Sequence, residues 1–316
     1  MTTTLHAVLG HGPVGATLSR RLLEAGHDVR VVTRSGASTD GAPDVEQVRA
    51  DASDPTALLA AIRGAGVVHV CANPPYHRWP QTWPTLTASI LDASARAGAD
   101  VVLAGNLYAY GRPTGPMTED HPLVATEAKG RTRADVWRAA LARHEAGDLR
   151  VTEIRGSDYV GPLARATAHA GERLVAPLLA GRTLRPIGSA DAPHSWTYLP
   201  DLADAMIAAA TTDAAWGHAW HAPSPEPLTF RELAARFATA ADVPLPTISA
   251  LPSTAVRAVG LVVPMMRELG RVAHQHDAPW ILDSTRSEAV LGLAPTPWET
   301  IADATIAWWR DDVRAR

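Results

Sequence analysis

Gly10, Gly12 and Gly15 stand in a G-x-G-x-x-G spacing, with Pro13 and Val14 inside it. The apolar run Leu5 to Leu9 precedes them, and an amphipathic stretch with Val14, Leu18, Leu22 and Leu23 on one face follows as far as Gly26. In such a strand–turn–helix the first glycine allows the bend and the second admits a pyrophosphate to the backbone. The third lets helix and strand pack closely, and the helix N-terminus turns unpaired N–H groups and a positive dipole end toward the phosphates. These residues predict a dinucleotide site.

The next strand, His27 to Arg34, bears on which dinucleotide. Roughly twenty residues past the motif an acidic side chain would hold the ribose 2′-hydroxyl of NAD. This chain has Thr33, Arg34 and Ser35 there. A guanidinium with a neighbouring hydroxyl suits a 2′-phosphate, so NADP(H) is expected in preference to NAD(H). The plainer alternative is a solvated Arg in an Arg-rich chain. Lys129 also stands out, because every other one of the 29 basic residues is Arg. A compact ammonium can hydrogen-bond ribose hydroxyls and lower the pKa of a neighbouring acid. A solvated surface lysine is the alternative.

The elements needed to position these groups follow from pattern. Val45 to Ala50, Gly66 to Ala72, Asp100 to Ala104 and Leu149 to Arg155 read as strands. Ala57 to Arg63, Trp83 to Gly98 and Asp135 to Glu145 read as helices, the first led by Asp54-Pro55. Strands alternating with helices predict an α/β fold with a parallel sheet, whose ligands lie beyond the carboxyl ends of the strands. Proline-rich segments (PLTF, DVPLP, LPST, LAPTPW) mark loops and short helices of a smaller lobe, and Ile306 to Arg310 reads as a helix.

Composition narrows the class. The chain has 316 residues, 46% of them hydrophobic, and a net charge of −4. That supports a large core and argues against a nucleic-acid surface. Cys71 is the single cysteine, so no internal disulfide exists, and it reads as a core thiol. The N-terminus lacks a charged n-region, and the apolar stretch Ala255 to Met266 is broken by Arg257 and Pro264. A cytoplasmic protein is expected, acting on a small-molecule substrate without nucleic acid or membrane; a homodimer is compatible with this.

With these blocks in order, the chain resembles the extended short-chain dehydrogenase/reductase superfamily of sugar-nucleotide epimerases and dehydratases. The resemblance rests on Gly10 to Gly15, Asp51, VVLAGNLYAYG (Val101 to Gly111), MTEDHP (Met117 to Pro122), Lys129, RGSDYVGP (Arg155 to Pro162) and WTYLPD (Trp196 to Asp201). It implies a Rossmann-type doubly wound parallel sheet over residues 1–162, with a return segment at about 191–221. A smaller, mostly helical substrate lobe would comprise 163–190 and 222–316. It further implies that Asp51, beside Ala52, meets the adenine amino group, and that Ala72 and Asn73 line the nicotinamide ribose. Lys129 would bind the ribose, Asp158 would face substrate, and Asp201 would hold the lobes together.

One departure is central. The family's acid/base Tyr lies four residues before the Lys, where this chain has Ala125, and the assisting hydroxyl position holds Asn106. An Asn can orient a carbonyl or a water but is no general acid at neutral pH. In the dehydratase branch, the two residues after the hydroxyl position carry acid/base groups. Tyr108 is therefore the candidate replacement acid, against the alternative that its ring only packs. Tyr110 reads as structural. His194 and Trp196 are expected to border the substrate. His274 and His276 read as a loop or surface pair, and no metal is expected.

The leading expectation is an NADP-dependent oxidoreductase reducing a small carbonyl or conjugated carbonyl. Two others stay open: a redox-neutral NADP-bound epimerase or isomerase, and a non-catalytic NADP-binding redox sensor.

Overall fold

The computed structural model describes residues 4–36, 45–165, 168–259 and 274–315. The apolar stretch from Ala255 therefore runs into residues 260–266, outside the described residues. Seven strands form one parallel sheet: β1 (Leu5–Leu9), β2 (Asp28–Thr33), β3 (Glu46–Arg49), β4 (Val67–Val70), β5 (Asp100–Asn106), β6 (Val151–Gly156) and, last in chain order, β9 (Ala219–His221). Their order is β3-β2-β1-β4-β5-β6-β9, so the chain reverses direction across the sheet between β1 and β4. That crevice is where a doubly wound fold binds its ligand. β7 (Asp158–Val160) and β8 (Trp196–Tyr198) form a separate parallel pair. Within the return segment, β9 is the strand that joins the main sheet.

The two-residue period of the strands builds two cores. Ala7, Leu9, Val68, Val70, Val101 and Leu103 face one side, under α2 (Pro55–Ala61), α3 (Trp79–Ala97) and α4 (Ala128–Glu145). Val8, Val67, Val102 and Ile154 face the other, under α1 (Pro13–Glu24) and α6 (Leu199–Thr211). A third core joins α5 (Val175–Leu179), α7 (Phe230–Ala240) and α11 (Trp298–Ala315) through Leu178, Phe237, Trp298 and Trp309. Between α7 and α11 lie α8 (Ser253–Val259), α9 (His274–Asp277) and α10 (Thr285–Leu291). Among the described residues no helix is long and apolar enough to cross a membrane.

Two helices start earlier than their patterns suggest. α4 begins at Ala128 instead of Asp135, because its first two turns bury polar residues, Lys129, Thr132 and Arg133, which carry no apolar signal. α3 begins at Trp79, with Pro80 in its first turn, where a missing N–H costs little.

Under the sheet, His6 Nδ1 and His69 Nε2 lie 2.9 Å apart, both buried. Burial, reinforced by His27, lowers the His6 pKa from 6.5 to about 4, and burial lowers that of His69 as well. The folded chain therefore binds fewer protons here than the unfolded chain once the pH drops below about 6.5. Their contribution to stability is complete above that pH and is lost progressively toward pH 4, at roughly 1.4 kcal/mol per pH unit for each fully neutral imidazole. Urea midpoints should be lower at pH 5.5 than at pH 7.5. Equal midpoints would contradict the neutral pair.

Candidate active site

The nucleotide-binding turn is shaped by what each glycine would collide with. Gly10 has φ +90, and a Cβ there would lie 2.7 Å from Ala72 Cα, so β1 and the end of β4 close on each other at this point. A Cβ on Gly15 would fall 2.0 Å from the Gly10 carbonyl oxygen, so α1 can approach β1 only without a side chain. Gly12 meets nothing within 4 Å. It caps α1 with extended backbone, and Pro13 and Val14 open the helix. Open space at the second glycine, with the others tightly enclosed, fits a pyrophosphate lying against a helix N-terminus.

The other expected cofactor contacts lie along the same carboxyl edge. Arg34 and Ser35 are exposed just past β2, and Asn73 is exposed just past β4, beyond Ala72. Asp51, with Ala52 next to it, follows β3; its Oδ1 accepts hydrogen bonds from the Ser53 N–H at 2.9 Å and Oγ–H at 2.7 Å. Those bonds, with the Arg34 charge as a lesser cause, hold its carboxyl below the usual range.

Asn106 ends β5 and caps the 3₁₀ turn Leu107–Tyr110, its Oδ1 accepting from the Tyr108 N–H at 3.1 Å. The Asn side chain thereby aims Tyr108. Tyr76, which the sequence did not single out, donates its O–H to the Tyr108 oxygen at 3.2 Å. The Lys129 ammonium lies 4.1 Å from the centroid of the Tyr76 ring. The expected pairing of Lys129 with Tyr108 is thus joined through Tyr76. Ala125 lies against the same turn, its N–H donating to the Ala109 carbonyl at 3.2 Å, and offers only a methyl. Burial, then Tyr76 and the Asp158 carboxylate, push the Tyr108 pKa well above its ordinary value. At neutral pH it is a protonated phenol, a donor and not a base.

Tyr110 is structural. Its hydroxyl accepts from Arg155 at 2.9 Å and lies 2.8 Å from His221 Nε2. Arg155 in turn donates to Glu153, which also accepts from Arg133. Asp201 accepts from the Thr296 N–H and hydroxyl, joining α6 to the segment ahead of α11.

The register Asn106↔Gly156 places Asp158 beside this edge. Its Oδ2 lies 2.9 Å from His194 Nε2 and 3.9 Å from His276 Nδ1. His169 stacks on His276 with centroids 4.3 Å apart. Burial opposes the Asp158 charge, but contact with His194 and the facing His276 and His169 rings hold its carboxyl below the usual range. Burial lowers His276 to about 4, and it lowers His169 too.

Trp196 is buried in the third core, donates to the Leu228 carbonyl at 2.9 Å, and backs the His194 and His169 rings. One expectation is corrected here. His276 is not part of a surface pair, because the chain folds it against Asp158, a carboxylate from far earlier in the sequence. Gly188, at φ +80, makes this possible: a Cβ there would lie 2.6 Å from the His276 carbonyl oxygen, which accepts from the Ser189 N–H.

The sequence profile of the NAD dependent epimerase/dehydratase family matches residues 7–221, from β1 through the glycine turn to β9. The chain belongs to that family. Among curated proteins no sequence relative matches it. Solved structures with the same fold include a UDP-glucose 4-epimerase from Thermotoga maritima with UDP-glucose, 16% identical, TM-score 0.82, covering 98% of this chain and 100% of that one. A dTDP-glucose 4,6-dehydratase from Bacillus anthracis in complex with NAD is 17% identical, TM-score 0.81, covering 99% and 98%. A UDP-glucuronic acid 4-epimerase from Bacillus cereus with NAD is 15% identical, TM-score 0.78, covering 98% and 99%.

Proposed function

We propose that the protein is an NAD(P)H-dependent reductase of a small carbonyl or conjugated carbonyl compound, with Tyr108 as its proton donor. The observation that carries this reading is the hydrogen bond from Tyr76 to the Tyr108 oxygen, with the Lys129 ammonium over the Tyr76 ring. A phenol whose oxygen already accepts one hydrogen bond keeps its own O–H for a substrate oxygen. Bound NAD(P)H supplies the hydride. Lys129 holds the nicotinamide ribose, and Asn106 fixes the turn that carries Tyr108.

A redox-neutral epimerase or isomerase, which must begin with a base that removes a hydroxyl proton, is the second reading. A non-catalytic sensor remains the third reading. NADPH consumption against a panel of carbonyl compounds separates the first from the other two: turnover with at least one supports the reductase, and no consumption with any speaks against it.

Arg34 carries the preference for NADPH. It is exposed at the end of β2, where the ribose 2′ position of a bound dinucleotide would lie. A charged contact to a 2′-phosphate is worth about 1.5–3 kcal/mol, or about ten- to a hundredfold in affinity. NADPH should bind more tightly than NADH, and Arg34→Ala should remove most of the difference. Equal affinities in the unaltered protein, read by fluorescence titration, would refute this assignment.

A further inference from the structure

Asp158, His194 and His276 form a cluster that the reductase reading leaves unused. One ligand atom from each lies within 4.8 Å of the others. A tetrahedral cation with bonds of about 2.0–2.2 Å needs ligand atoms about 3.3–3.6 Å apart. The observed separations of 2.9 and 3.9 Å from Asp158 Oδ2 fall on either side of that spacing, within reach of small side-chain rotations.

The second observation concerns His194, whose residue is 4% exposed. Its Nε2 is enclosed and has no hydrogen-bond partner, although the carboxylate oxygen is only 2.9 Å away. The His194 ring nitrogen and the Asp158 carboxylate oxygen face each other at 2.9 Å inside an enclosed space. The surroundings also fix the rings: Trp196 packs against His194 with centroids 4.6 Å apart, and His169 stacks on His276. The close approach to Gly188 seats the backbone of His276.

We propose that Asp158 Oδ2, His194 Nε2 and His276 Nδ1 bind one divalent transition cation of the zinc class. Two imidazoles and one carboxylate are the borderline N/O donors that such ions take, and three protein ligands leave one position open for water or a substrate oxygen. The charge of the Asp158 carboxylate reaches Tyr108 and raises its pKa. A cation held by Asp158 would polarise a substrate carbonyl oxygen. That role rests on the reductase reading; the binding itself does not.

The test uses the full chain, stripped with a chelator and dialysed against Zn²⁺ alone, with bound metal counted per chain, and Co²⁺ as a spectroscopic substitute. One equivalent should bind, and Co²⁺ should show the visible bands of a low-coordinate N/O site. Asp158→Asn, His194→Gln and His276→Gln should each weaken binding roughly a hundredfold. His77→Gln, an exposed histidine elsewhere, should leave it unchanged. Dinucleotide binding, measured on every variant, shows that the fold is kept. Absence of stoichiometric metal in the unaltered chain overturns the proposal, as does binding that survives all three substitutions. Metal bound with no carbonyl reduction keeps the site and removes only the reductase reading.

Discussion

Tyr108→Phe lowers turnover with a carbonyl substrate by about 10²–10⁴ and leaves NADPH affinity nearly intact. The substitution keeps the ring and its packing and deletes the O–H that the proposed mechanism uses to protonate the product. Tyr76→Phe should cost less, about tenfold, because it removes the hydrogen bond that orients Tyr108 but not the proton itself. Asn106→Ala should also cost less than Tyr108→Phe, since Asn106 acts by capping the turn beneath Tyr108. Steady-state kinetics with matched cofactor titrations reads all three. Near-normal turnover in Tyr108→Phe beside a severe loss in Asn106→Ala would move the proton donor to a water held by Asn106.

Lys129→Met damages both binding and turnover. The residue is buried on α4 with its ammonium over Tyr76, so the substitution removes a charge that serves the ribose and the phenols together. Losing charge-assisted hydrogen bonds to the ribose should weaken NADPH about ten- to a hundredfold, with a fall in turnover on top. Lys129→Arg should not restore either in full, because a planar fork cannot occupy the place of a compact ammonium. Unchanged NADPH affinity in Lys129→Met would take Lys129 out of the cofactor site.

The nucleotide-binding half was legible in the sequence because each of its features is local. Gly10, Gly12 and Gly15 are adjacent in the chain, and β1, β4 and β5 read as continuous apolar runs because both faces of the sheet are covered. The site beyond it was less so. Tyr76 sits in a proline-rich turn with no pattern to mark it, and meets Tyr108 only when α3 packs beside β5. His169, His194 and His276 lie in three separate segments that converge on Asp158, so their spacing carries no signal. The lone lysine stands out among the arginines, but the phenol between it and Tyr108 is visible only in three dimensions.

The central claim is that this chain uses its cofactor for net reduction with Tyr108 as acid. Deuterium transfer tests it most directly: NADPH labelled at nicotinamide C4 is incubated with the protein and a carbonyl compound that supports turnover, and the product is examined for label. The account predicts deuterium on the former carbonyl carbon and one NADP⁺ formed per product, with both nearly abolished in Tyr108→Phe. A substrate that changes configuration with no net oxidation of NADPH would contradict it.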